Sequence, residues 1–227
     1  MPLSAQAEVT ESLVAAMLLA TTGGLLDSFV YLNHGHVFAN AMTGNVVLLG
    51  IALVEHHGVL AVRHLAPLGS FFLGIVTSRV LRDRLGPRAS FIGLSLEVAV
   101  LFIASLLPTN FPDMAFTGLI AFVSSYQITS FRKVSGLPYS STFVTGNLRD
   151  VALGLYDGAT ARTAEARREG FGNARALGLI CLSFLIGTIL GALGAPRLAN
   201  HTLWVAEPLL LGVIGLLLLK QRQELAP

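Results

Sequence analysis

Apolar residues run along this chain in long blocks, without the short alternation of strands or the one-sided stripe of a soluble helix. A helix needs about 20 mainly apolar residues to cross a hydrocarbon core about 30 Å thick. Six blocks qualify, at about 13–33, 60–81, 89–107, 114–131, 174–195 and 202–219. Gly86-Pro87 marks one connection, and Pro108 and Pro112 bracket another.

Two further blocks break this pattern. Residues 37–54 contain Thr43-Gly44-Asn45, and residues 139–156 contain Thr145-Gly146-Asn147. In the first, only Val46 to Val54 separate the tripeptide from Glu55; in the second, Arg149 and Asp150 follow almost at once. A lipid-spanning helix would carry those charges across the core, which is expensive. A re-entrant hairpin avoids this: an extended arm enters, the chain breaks at TGN, and a half-helix leaves. Such backbone is tolerated at membrane depth where protein buries it or a cavity solvates it.

The basic residues choose between the two topologies. If all eight blocks span, Lys and Arg divide evenly, seven to each side. If the TGN blocks re-enter, Arg79, Arg82, Arg84, Arg88, Arg132, Lys133, Arg162, Arg167, Arg168, Arg175, Lys220 and Arg222 share the N-terminal side. Only Arg63 and Arg197 remain opposite, with Arg149 inside a hairpin and left out of both counts. Cytoplasmic loops are enriched in Lys and Arg. The expectation is therefore an all-α polytopic protein of the inner membrane, with six spanning helices, two re-entrant TGN half-helix hairpins and both termini cytoplasmic. Seven or eight spanning helices are the alternative.

Composition agrees. The 227 residues are 53% hydrophobic and 12% charged, with a mean hydropathy of +0.70. That charged share is about half of what soluble domains use to cover their surface. A single transmembrane domain over 1–227 follows, with the bilayer as its main partner and no nucleic acid, despite a pI of 9.0. The lone Cys181 lies in an apolar run and supports no disulfide framework. Met1 to Ser12 carries no Lys or Arg, so the first apolar block is expected to be a retained helix, not a cleaved leader.

The halves repeat their landmarks in order, over about 12–108 and 112–220. Asp27 falls where Gln127 falls, and TGN matches TGN. Ser70-Phe71-Phe72-Leu73-Gly74 matches Ser183-Phe184-Leu185-Ile186-Gly187, and Glu97 matches Glu207, each ahead of an apolar run. An odd number of spans per half inverts the second copy, giving a 3+3 inverted repeat of the kind that builds many transporters.

Gly24-Leu25-Leu26-Asp27 leading to Val37-Phe38-Ala39-Asn40-Ala41-Met42-Thr43-Gly44-Asn45, with the later Thr142-Phe143-Val144-Thr145-Gly146-Asn147, resembles the YoaK family of bacterial membrane proteins, domain of unknown function 1275. The resemblance covers nearly the whole chain and implies a polytopic membrane protein with about six helices. It brings no substrate. The layout is also similar in plan to the hourglass of aquaporins and formate channels, an analogy of architecture alone.

Several groups could carry function. Thr43, Gly44, Asn45, Thr145, Gly146 and Asn147 can cap and turn half-helices whose free N–H groups suit an anion or a carbonyl oxygen. Asp27, Glu97 and Glu207 lie within apolar blocks, where a carboxyl group either couples protons, binds substrate or braces helices; Gln127 takes the place of Asp27 in the second half. Arg149 and Asp150 could gate the inner mouth or form a solvated pair there. The six histidines fall on the outer side and read as scattered interfacial groups, without metal-ligand spacing. Gly187 and Gly191, with Gly194, form a close-packing stripe that can act within the chain or join a homo-oligomer. No nucleophile elbow, phosphate loop or zinc spacing is present, so no catalytic, metal or cofactor residues are assigned.

The reading is a small transporter or channel for a small polar or anionic solute, with a central site at the two TGN motifs. Its rivals are an intramembrane enzyme acting on a lipid-linked group and a membrane assembly protein.

Overall fold

The computed structural model describes residues 12–225 apart from Pro87 and Ser135, and of residues 220–225 only the main chain. The expectations placed on Met1 to Glu11 and on the Lys220 and Arg222 side chains fall outside it. The chain is an all-α membrane protein. Its helices are α1 (Leu13–Asn33), α2 (Met42–Val54), α3 (Gly58–Leu85), α4 (Arg88–Ser105), α5 (Asp113–Ser130), α6 (Val144–Thr160), α7 (Ala164–Leu198) and α8 (Ala206–Leu225). A 3-10 turn, Ala199–Val205, joins α7 to α8, and a short ladder of β1 (Lys133–Val134) with β2 (Leu137–Pro138) lies between α5 and α6.

Four segments are long and apolar enough to cross a bilayer: Leu13–Asn33, Gly58–Leu85, Arg88–Ser105 and Ala164–Leu219, the last running through α7, the turn and α8. The 18 residues of α5 carry Ser124, Ser125 and Gln127 on buried faces, and this helix falls outside those four segments. At 13 residues, α2 rises about 20 Å, too little for the hydrocarbon core. Two boundaries differ from the sequence expectation. TGN is not a break but the first turn of α2 and of α6. The start of the sixth apolar block is the 3-10 turn, entered through Ala199 at φ 48°.

Contacts between the long helices fix their directions. α1 and α7 run parallel: Gly187 backs onto Thr21, Gly191 onto Leu25 and Ser28, and the Asn33 amide donates to the Ala195 carbonyl at 2.9 Å. α3 and α5 also run parallel: Gly118 meets Ser70, Gly74 meets Phe122 and Ser125, and Arg82 donates to the Thr129 carbonyl at 3.3 Å. Gly74 and Gly187, matched in the sequence repeat, thus make the same kind of contact, each on a helix of the other half. No Cβ fits there without moving backbone or a packed side chain.

The end of α1, the starts of α3 and α5, and the ends of α4 and α7 gather at one end of the bundle. There His34 contacts Asp113 and Asn200, and His201 contacts the Ser105 carbonyl. Arg82, Arg84, Arg88 and the α6–α7 loop lie toward the other end. The main core joins α1, α4, α5 and α8 through Leu19, Phe29, Leu101, Phe116, Leu210 and Val213. A smaller one packs Ala16 and Ala20 of α1 against Val134, Tyr139 and Ile180. α2 packs on α3 and α6 on α7, while Val46, Val47, Ile51, Leu153 and Tyr156 remain exposed, an apolar outer surface suited to lipid.

Candidate functional site

The two TGN asparagines do the same job in both halves. Asn45 accepts a hydrogen bond from the Phe38 N–H at 2.9 Å and donates to the Phe38 carbonyl at 2.8 Å. Asn147 accepts from the Ser140 N–H at 3.1 Å and donates to the Ser140 carbonyl at 2.7 Å. Each amide pairs with the main chain seven residues back and so clasps the arm to the first turn of the half-helix. This satisfies buried peptide groups that an extended arm would otherwise leave bare.

The clasp turns both TGN asparagine amides onto their own arms, and both asparagines are buried. Thr43, Thr145 and Gly146 face outward, and Gly44 makes room for the Phe38 ring. The two half-helices do not pack on one another.

What converges instead is the pair of arms. They meet at Gly23, midway along α1. The Asn40 amide of the first arm donates to the Gly23 carbonyl at 3.4 Å. From the second arm, the Ser141 carbonyl and the Thr142 methyl lie 3.2 and 2.9 Å from where a Gly23 Cβ would stand. Any side chain on Gly23 would push the second arm away.

Asp27 and Gln127 brace this junction. The Asp27 Oδ1 accepts from the Asn40 and Ala41 main-chain N–H groups at 2.6 and 3.3 Å. Gln127 Nε2 donates to the Ser141 hydroxyl at 3.1 Å and to the Leu19 carbonyl at 3.0 Å. Leu19 and Asp27 lie about one turn to either side of Gly23 on α1, so the two braces flank the crossing point. Three buried polar atoms around it have no partner: Asp27 Oδ2, Asn40 Oδ1 and Thr142 Oγ1. Asp27, Asn40 and Thr142 are each less than a tenth exposed. Unmet groups of this kind are rare in folded interiors and mark strain, water or a ligand.

The other sequence candidates stand elsewhere. Glu97 is wholly buried in α4 beside the core residues Leu94 and Leu101, with both oxygens unpartnered. Glu207 sits in the first turn of α8, with Oε1 unpartnered. Arg149 and Asp150 form an exposed ion pair at 2.7 Å, and the Arg149 hydrogen bond holds the Asp150 carboxyl below the usual carboxylate range. Gly187 and Gly191 are buried against α1, so of the two roles open to the stripe the structure shows packing within the chain.

Sequence reasoning missed Asn40, Ser141 and Thr142, although Asn40 and Thr142 stand five residues ahead of Asn45 and Asn147. It also read the histidines as interfacial, whereas His34 is buried, stacked on Phe116 with ring centroids 3.7 Å apart and held between Asp113 and Asn200 at 3.1 and 3.0 Å. His64 is buried as well.

Comparison with known proteins supplies the family. The model for a family described as "Protein of unknown function (DUF1275)" matches residues 15–216. The UPF0700 transmembrane protein YoaK of Bacillus subtilis (strain 168) is 30% identical over 208 residues, covering 87% of this chain and 90% of the relative. No solved structure matches.

Proposed function

The chain belongs to the DUF1275 family of membrane proteins, and from that premise we propose that it is a small inner-membrane transporter or channel whose site is the junction of the two arms. Six helices cross the bilayer and α2 and α6 re-enter it from opposite faces. The two halves are inverted copies, with both termini cytoplasmic. Helix direction supports this reading. α1 ends and α3 begins at the same end of the bundle, so the first hairpin must enter and return there. The second does the same at the opposite, Arg-rich end.

The observation that carries the proposal is the cluster of Asp27, Asn40 and Thr142, whose buried oxygens lack partners where two non-helical arms cross mid-bundle. Broken chain segments meeting near the midplane are where secondary transporters bind their cargo. A bound polar solute would satisfy these atoms, each of which costs about 2–7 kcal/mol when left unmet in hydrocarbon. The solute is small and polar, because two short arms enclose little space. Glu97 is the candidate for proton coupling, as an unpartnered carboxyl group inside a span.

The test is water access. In a Cys181→Ala background, Thr142→Cys in proteoliposomes should react with a small charged methanethiosulfonate reagent, and the reaction should block solute flux. A thiol at 142 that reacts only after denaturation would remove the site.

A further inference from the structure

The chemistry of the junction selects among small polar solutes. The N–H groups that touch the crossing are engaged within the protein. The Asn40 and Ala41 amides serve Asp27, the Met42 N–H bonds the Asn40 carbonyl at 2.8 Å, and the Gly44 and Asn45 N–H groups bond the Ala41 carbonyl at 2.9 and 3.2 Å. The Thr142 and Phe143 N–H groups bond the Ser140 hydroxyl at 3.3 and 3.1 Å. The Gln127 amide serves Leu19 and Ser141, and the Asn40 side-chain amide serves Gly23. The unpaired buried side-chain atoms there are all oxygens: one of a carboxylate, one of an amide and one of a hydroxyl. No Lys, Arg or His takes part in these hydrogen bonds. The pull of the α2 and α6 N-termini on an anion is therefore opposed by the buried Asp27 carboxylate, whose second oxygen has no partner.

We infer that the junction binds a desolvated monovalent cation, an alkali ion or ammonium, between the carboxylate of Asp27, the side-chain oxygen of Asn40 and the hydroxyl of Thr142. This rests on the reading of the junction as the solute site and narrows its cargo from polar or anionic solutes to cations. One carboxylate balances one positive charge. Divalent ions take six or more oxygens, several of them carboxylates, and no group of three His, Cys, Asp or Glu able to hold a metal occurs among the described residues. Neutral oxygens from the two arms complete the shell, so the cation ties both halves together at their crossing.

The experiment is thermal unfolding of the purified full-length protein in detergent, at fixed pH and ionic strength. The added salt is the chloride of sodium, potassium, ammonium or N-methyl-D-glucamine. At least one of the three small cations should raise the midpoint saturably over N-methyl-D-glucamine, and the one that does identifies the guest. Asp27→Asn, which keeps Oδ1 for the arm, should abolish the cation dependence. Thr142→Val, which keeps the shape and the carboxylate, should raise the half-saturating concentration roughly three- to tenfold, the usual worth of one such contact. If Asp27→Asn does not fold, the Thr142→Val shift decides. Equal midpoints in all four salts, cation dependence retained by Asp27→Asn, or an unshifted half-saturation in Thr142→Val would each overturn the inference. Because this is equilibrium binding in detergent, flux in proteoliposomes fails or succeeds separately: flux without cation binding sinks only the cation, and binding without flux sinks only transport.

Discussion

The hairpin around α2 and the hairpin around α6 share a frame and differ in chemistry. In both, an asparagine in the first helical turn clasps the main chain seven residues earlier, and a residue of a long helix braces the arm just ahead of the clasp. The brace of the first arm is a carboxylate, Asp27, receiving two main-chain N–H groups; that of the second is an amide, Gln127, donating to a serine hydroxyl. The half-helices differ as well. α2 is a 13-residue apolar rod, while α6 has 17 residues and carries Arg149, Asp150 and Asp157. The shared frame is what an internal duplication of the kind proposed would leave. The difference places the carboxylate of the junction in the first half alone.

The comparison breaks most violently at the matched glycines. Gly187→Leu would drive a side chain into the α1 backbone at Thr21, and Gly74→Leu would do so at Phe122 and Ser125 of α5. Each should abolish folded protein, read as loss of the monodisperse peak in detergent. A folded Gly74→Leu beside an absent Gly187→Leu would show that the two helix pairs are not equivalent. The clasps come next. Asn45→Ala and Asn147→Ala each strand a buried N–H and C=O, an effect of about 2–4 kcal/mol from two unmet groups. Thermal unfolding should show similar losses for both, and a neutral Asn147→Ala would end the equivalence of the hairpins.

A smaller effect sharpens the difference between spans. Glu97→Gln should insert and fold, because the amide fills the same space, yet flatten the pH profile of flux in proteoliposomes; an unchanged profile assigns Glu97 to structure alone. Smallest of all, Arg149→Ala should leave unfolding unchanged, since the Arg149–Asp150 pair is exposed and screened by solvent. An altered solute selectivity in that variant would make the pair a gate.

Much of this was legible in the residues. Block length gave the long helices, because a hydrocarbon core demands it, and the charges at Glu55, Arg149 and Asp150 set the TGN segments apart. The matched glycines were visible as landmarks, though not which helix they meet, since that depends on packing between halves. The role of the asparagines was not legible. A clasp seven residues back needs the path of the arm, and TGN alone reads as a half-helix cap facing a central site. The junction was within reach: aligning the halves on TGN also aligns Asn40 with Thr142. The buried His34, between Asp113 and Asn200, had no sequence signal, because its partners lie 79 and 166 residues away.

The inversion of the two hairpins is tested most directly by the sidedness of the loops where they leave the membrane. Single cysteines replacing His57, in the α2–α3 loop, and Glu165, at the start of α7, are both exposed positions. In a Cys181→Ala background, an impermeant maleimide added to intact cells and to inverted vesicles should label 57 only from outside and 165 only from the cytoplasmic face. Labelling of both positions from the same side would contradict the inverted, re-entrant architecture and the junction built on it.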